Sequence, residues 1–439
     1  MKHTILASAV LLAFGTANAA DIPTWVDPTG DAKEINTIEL SQNSWEGGYF
    51  AVAENGGSNS AGITSLTKDS PFTLDRDTWL VNNTGNNVYG ALISGSGEVK
   101  NTANIYVQGN KDTFWKTKAI LLGNGSTFTN EGLIYAKNAY GVMVLSGSTV
   151  NYTNKNKIVV EGVGVAMDFA GKGDTTVSGS MTNAGDIFLI ANEDTANSTD
   201  DNPLVAIRLA ENNASDNALS FTNSGNIYAD GLTAILVEDG TRGSVNLSGA
   251  SHVEGLVDLN DKSDLKITEL ESAQTIQLAD KVNKISVDAS TVTFEQGTDK
   301  ALNINELSTA NGSDVDIKLH RVGSAEEKVL TIREVTEGSS VDVGYTGNVS
   351  DDLLGGKVSQ GNLFDGVSIA EDQHQPDSVT VDQGLMGDEM VLTKDANGNI
   401  VSRVTRTNDL LRSAQDLAIT NALMSRRTHG IFCRPLSQN

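Results

Sequence analysis

Residues Phe221 to Tyr228 read FTNSGNIY, and the chain writes this stretch again and again. FTNEGLIY stands at Phe128 to Tyr135, YTNKNKIV at Tyr152 to Val159 and MTNAGDIF at Met181 to Phe188. A weaker copy, VKNTANIY, occupies Val99 to Tyr106. Each copy joins a polar turn at the Asn to an Ile followed by a β-branched or aromatic residue. The equivalent isoleucines are Ile105, Ile134, Ile158, Ile187 and Ile227, at steps of 29, 24, 29 and 40 residues. A repeat of this length with strand-type contents is the mark of a solenoid.

Two further apolar runs fill each repeat. AILL at Ala119 to Leu122, GVMVL at Gly141 to Leu145, GVAMDF at Gly164 to Phe169 and LVAIRL at Leu204 to Leu209 follow the Ile strands. A weaker third run, such as STF or ALSF, leads into the next Thr-Asn. Three short strands per turn predict an all-β chain wound as a parallel β-helix, each strand pairing with its counterpart about 4.8 Å along the axis. Stacking then assigns roles. Ile134, Ile158, Ile187 and Ile227 are expected to form an aliphatic file inside. Asn130, Asn154, Asn183 and Asn223 are expected at a repeated corner, where Asn tolerates left-handed backbone angles and can bond to its neighbours in a ladder.

The uneven steps have local causes. VQGNKDTFWKTKA after Tyr106 and ANEDTANSTDDNP after Ile190 read as loops projecting from the coils. Glu193, Asp194, Asp200 and Asp201 match no EF-hand spacing, so the second loop reads as a solvated acidic segment. Beyond Leu256 the spacing loosens while alternation persists, and Leu302 to Lys394 reads as the closing part of the same solenoid.

Composition narrows the partners. The chain has 439 residues and a formal charge of −25, which disfavours nucleic acid and anionic lipid. One cysteine, Cys433, leaves no disulfide framework. Lys2 and His3, the apolar run Ile5 to Phe14, and Ala17-Asn18-Ala19 before Ala20 have the layout of a signal peptide with its cleavage site. Export through the secretory translocon is therefore expected. Trp25, Trp45 and Trp79 cluster in an entry region read as the cap of the solenoid. At the other end, Thr407 to Met424, TNDLLRSAQDLAITNALM, abandons alternation for helical spacing.

The leader, the β-helical texture and the helix NDLLRSAQDLAITNALM together resemble the passengers of Gram-negative monomeric autotransporters of the AIDA and pertactin-like group. The resemblance implies a right-handed β-helix over 20–300, a C-terminal autochaperone-like region over 301–404 and a linker helix over 405–424. The signal peptide covers 1–19. It further implies periplasmic chaperones, an outer-membrane β-barrel to be threaded, and a surface receptor on a host or bacterial cell. Residues 425–439, SRRTHGIFCRPLSQN, depart from the family pattern and are too few for barrel strands. They read as an aberrant or disordered tail, so the barrel is expected to be missing and the product periplasmic if the truncation is real.

Chemistry is sparse. GxSxG, HExxH and P-loop patterns are absent, and His252, His320 and His374 are dispersed. No catalytic, metal or cofactor residue is read, and an adhesin or cell–cell contact protein is the expected function. The alternatives are a β-helical carbohydrate lyase or hydrolase and a non-functional remnant. A groove lined by three or more carboxylates on adjacent coils, with Arg or Lys nearby, would favour the enzyme. A Ser/Thr/Asn-covered face would favour adhesion.

Overall fold

The computed structural model describes residues 22–34, 50–53, 60–67, 69–145, 147–170, 177–198, 203–210, 219–369, 376–382 and 388–406. The signal segment with Ala17, Ala19 and Ala20, residues 407–424 of the expected linker helix and the tail lie outside the described residues, as do Trp45, Asp200, Asp201 and His374. Residues 405 and 406, expected in that helix, instead end the strand Ile400–Arg406.

Strands stack in three parallel files in the first part of the chain. The first file contains Thr78–Asn82, Ile105–Gln108, Ile134–Lys137, Lys157–Glu161, Asp186–Ile190 and the start of Asn226–Val237. The second contains Asn87–Ser94, Thr117–Leu122, Tyr140–Val144, Gly164–Ala170, Leu204–Ala210 and the end of Asn226–Val237. The third contains Glu98–Asn101, Thr127–Asn130, Thr149–Asn154, Ser178–Asn183, Leu219–Asn223 and Gly243–Gly249. Pairing across each file is in register, so the β-helix is parallel throughout this region. Several strands of the first two files are buried along most of their length, as in Thr117–Leu122 and Ile134–Lys137. Such two-sided burial suits parallel sheets whose outer face is also covered.

The coil then changes shape. His252–Asp258 pairs with both halves of Asn226–Val237, so the first and second files merge. Gln274–Leu278 and Thr291–Gln296 continue the merged file. The third file runs on through Asp264–Leu270, Lys281–Asp288 and Leu302–Ala310. Each turn now has two strands in place of the expected three. The spacing tightens instead of loosening: Ser244 pairs with Asp264, Asp264 with Lys284, and Lys284 with Glu306. With one corner gone, fewer residues close a turn. Burial there alternates, as in Gln274–Leu278, because one strand face meets the interior and the other meets water.

Two compact units divide the chain: 1–315 with 331–341, and 316–330 with 342–439. Within the second, Asp316 to Leu319 pairs in parallel with Asp342–Tyr345, and Gly344 and Tyr345 pair with Thr380 and Val381. The expected run of further coils does not continue through this unit. Helices Gly347–Leu354 and Gln360–Asp365 intervene, and Ser378–Asp382, Asp388–Lys394 and Ile400–Arg406 form an antiparallel meander. Buried Tyr345 donates its hydroxyl to the Leu363 carbonyl at 2.6 Å, and Lys394 lies over the Phe364 ring.

Candidate functional site

The repeated motif builds the corner between the third and first files. Asn101 Nδ2 donates to Asn130 Oδ1, Asn130 to Asn154, Asn154 to Asn183 and Asn183 to Asn223, each at 2.8 Å. Asn223 donates to Ser251 Oγ, again at 2.8 Å, which ends the row. The second amide hydrogen is used locally, as where Asn130 donates to the Gly132 carbonyl and Asn183 to that of Gly185. All five asparagines are fully buried. None of them adopts a positive φ; they are strand residues, and left-handed geometry is found instead at Asn138 and Asn311. The ladder thus exists for hydrogen bonding, not for turn geometry. Gly132 sits where successive corners touch: a Cβ there would lie 2.0 Å from the Ala103 carbonyl oxygen.

Ile134, Ile158, Ile187 and Ile227 pair in register and are all fully buried. The file extends from Ile105 at one end to Val253 at the other. Two residues before Asn130, Asn154, Asn183 and Asn223, the side chains of Phe128, Tyr152, Met181 and Phe221 occupy a parallel buried row, and Phe128 stacks on Tyr152 at 5.5 Å.

Three outer faces differ in chemistry. On the first, Tyr106, Tyr135, Val159 and Phe188 form a covered apolar column. Trp25 crosses it, meeting Tyr106 and Tyr135 edge-on at 5.6 and 5.8 Å. Trp79 stacks on Tyr106 and donates Nε1 to the Val26 carbonyl. Trp25 and Trp79 therefore brace the side of the coils, which corrects their reading as an end cap. Flat aromatic bodies standing out from consecutive coils need a lid, and the segment around Trp25 supplies it.

The third face is covered in short polar side chains. Thr127, Asn151, Ser180, Ser220 and Ser244 form one register row, and Thr129 (itself buried), Thr153, Thr182, Thr222 and Asn246 a second. Neighbours bond along the axis, as between the Thr149 and Ser178 hydroxyls at 2.7 Å and from Ser180 Oγ to Asn151 Oδ1 at 2.9 Å.

On the second face lies a groove of about 540 Å³. The insertion after Tyr106 makes one wall. It folds as a short 3₁₀ turn, Lys111–Lys116, whose Phe114 packs with Tyr140, Val163, Val165 and Val205. With that anchor buried, Trp115 stands half exposed at the rim. Farther along, Asp168, Arg208, Leu236 and Asp258 follow one another in register on successive coils. Arg208 grips buried Asp168 with two hydrogen bonds of 2.8 Å and donates a third to the Tyr140 hydroxyl. Glu238 lies 3.8 Å from the same guanidinium. Burial and the nearby Asp168 carboxylate raise the Tyr140 pKa.

Glu238, Asp239, Asp258 and Asp280 line the far half, with Lys281 and Lys300 beside them. Lys300 pairs with Asp280 at 3.4 Å. Burial first, and the charge of Asp280 second, raise the pKa of Asp258. Next to the groove, Lys118 is buried against Asn87 Oδ1; desolvation lowers its pKa to about 8, despite the opposing pull of Asp168.

The second insertion forms the capped turn Glu193–Ala196, with Asn192 closing a capping box. Asp194 accepts from Asn138 Nδ2 at 2.8 Å and lies 3.7 Å from Lys111, so it ties the two insertions together instead of standing free in solvent. His252, read as dispersed, lies 3.1 Å from Glu254. The groove residues were not singled out in the sequence, because Asp168 and Asp258 are 90 positions apart and only coil register aligns them.

No protein-family model, curated protein or solved structure matches this chain.

Proposed function

We propose that the chain is an exported passenger of the autotransporter type that works as an adhesin or cell–cell contact protein. The observation that carries the reading is the third face, where Ser, Thr and Asn recur in two register rows over consecutive coils. A periodic surface of short donors and acceptors offers many weak contacts at once, and linked weak contacts sum to strong attachment. The acidic balance keeps such a face from collecting nucleic acid. The signal segment, translocon, periplasmic chaperones and an outer-membrane barrel belong to the same proposal, as does a receptor on a host or bacterial surface.

Beads coated with the purified chain test it. Beads that clump together, or attach to bacterial or epithelial cells more than albumin-coated beads do, support adhesion. Coated beads indistinguishable from that control overturn it.

A carbohydrate-active enzyme is the second reading. It draws on Glu238, Asp258 and Asp280, carboxylates from successive turns that share one groove with Arg208 and Lys300. Release of reducing or unsaturated sugar ends from polysaccharide panels would establish it, and silence across those panels would leave the groove a binding surface.

A further inference from the structure

We infer that the groove on the second face binds an amine-bearing saccharide chain, with Trp115 as its stacking platform and the carboxylates around Asp258 as its cation site. The inference rests on the contact-surface reading of the solenoid and names the ligand class for one of its faces.

The shape comes first. A cleft of about 540 Å³ lies within the range of small-ligand sites. From the coil of Val165 to that of Asp280 it spans four steps, or ~19 Å at the interstrand spacing. Each coil step is roughly the length of one pyranose unit, so a sugar chain lying along the axis advances by about one ring per coil. An extended peptide advances about 3.3 Å per residue and falls out of step with the coils. Periodicity therefore favours a glycan over a peptide.

The walls agree. A flat indole, half exposed and held in place by buried Phe114, offers an apolar plate at one end. Val165 and Leu236 add apolar floor, and the Arg208–Tyr140–Asp168 network presents fixed polar groups in the middle. This combination of aromatic plate and a few placed polar groups is what a sugar ring, apolar on one side and hydroxylated at its edge, requires.

Charge selects among saccharides. Arg208 is engaged by Asp168, and Lys300 by Asp280. Asp258 forms no ion pair among the described residues; Asp280 and Asp239 act on it with negative charge and Lys300 and Lys281 with positive, and with Glu238 the carboxylates of this half of the groove outnumber its lysines four to two. A uronate chain would set its carboxylates against these groups. A protonated amine on the sugar would instead relieve the repulsion between Asp258 and Asp280.

The test uses the full chain and calorimetric titration at mildly acidic pH with four probes: a glucosamine pentamer, its N-acetylated form, an oligogalacturonate and tetralysine. The glucosamine pentamer is expected to bind at least tenfold more tightly than the oligogalacturonate and tetralysine, and severalfold more tightly than the acetylated form. Trp115→Ala and Asp258→Asn are each expected to weaken it at least tenfold, while Trp115→Phe keeps most of the affinity. Unchanged circular dichroism and Tm for the variants separate binding loss from unfolding. Equal binding of the acetylated form, preference for oligogalacturonate or tetralysine, no binding by any probe, or insensitivity to Trp115→Ala would overturn the assignment. Bead adhesion is scored separately: adhesion that persists in Trp115→Ala leaves the third face as the adhesive one, and saccharide binding without adhesion removes the adhesin reading alone.

Discussion

The three-strand coils of residues 98–249 and the two-strand coils of residues 252–310 solve one problem in two ways. Both stack parallel strands in register, and both bury an aliphatic file; Ile158 in the first region and Ile285 in the second are fully buried. They differ at the corners. The wider coil has an interior angle to fill, and a buried amide fills it, bonded to the coils before and after it. The narrower coil has no such row: buried Asn260 donates to the Glu238 and Thr241 carbonyls and buried Gln274 to that of Ser251, so these amides bond to backbone and not to one another. There Asn283 donates to Asp264 at 2.7 Å and is only partly buried. A wide cross-section is thus stabilised by a continuous polar spine, whereas a narrow one relies on apolar alternation with isolated buried amides. The wide coil also tolerates insertions, which build the wall of the groove.

The largest effect should come from breaking the spine at its middle. Asn154→Leu removes an acceptor for Asn130, a donor to Asn183 and a donor to the Asn156 carbonyl. Orphaned buried groups cost about 1–3 kcal/mol each, so a loss of about 3–5 kcal/mol is expected in urea unfolding. A loss below about 1 kcal/mol would mean that the ladder decorates the corner without holding it.

Truncating the shared interior should affect both regions alike. Ile158→Ala and Ile285→Ala each remove a fully buried side chain, at an expected cost of about 2–4 kcal/mol by the same measurement. A large asymmetry between them would show that the two coils do not share one kind of core.

A buried amine sharpens the comparison through pH. Lys118 titrates near 8 in the folded chain against 10.5 in the unfolded one, because burial disfavours its charge. Between those values the unfolded chain holds a proton that the folded chain has released, so stability rises with pH across that window. A gain of about 2–3 kcal/mol is expected from this one group. Tyr140 opposes it above pH 10, since burial and Asp168 raise its pKa and ionisation then favours the unfolded chain. Melting temperatures should therefore climb from pH 8 toward 10 and fall beyond, and Lys118→Met should abolish the climb. A wild-type melting temperature that declines steadily across the window would contradict the burial of that amine.

The smallest effect is expected in the narrow coils. Asn283→Ala loses a partly exposed bond to Asp264 and should cost less than about 1 kcal/mol. Comparing it with Asn154→Leu measures directly how much a corner position adds to an asparagine.

Legibility followed periodicity. The Asn and Ile positions were readable because identical residues recur with a strand-sized signature between them. Val253 and Ser251, which close the two rows, were not, because each replaces the repeated residue with a different one of similar function. The switch to two-strand coils was hidden for a related reason: shortened turns blur a period that alternation alone does not reveal. Helices Gly347–Leu354 and Gln360–Asp365 were also missed; Ser359 accepts from the Asn362 amide as an N-cap, a signal present in the sequence but short and surrounded by strand-like runs. The groove depends on register between residues far apart in the chain, so no local pattern announces it.

In-register coil pairing is tested most directly by disulfide trapping on the third face. With Cys433→Ser as background, Thr153→Cys and Thr182→Cys stand opposite each other one coil apart, within the reach of a disulfide. Mild oxidation should join that pair within one molecule and leave Thr153→Cys with Thr222→Cys, two coils apart, unlinked. Efficient linking of the second pair, or failure of the first in a folded chain, would contradict the parallel coil at its root.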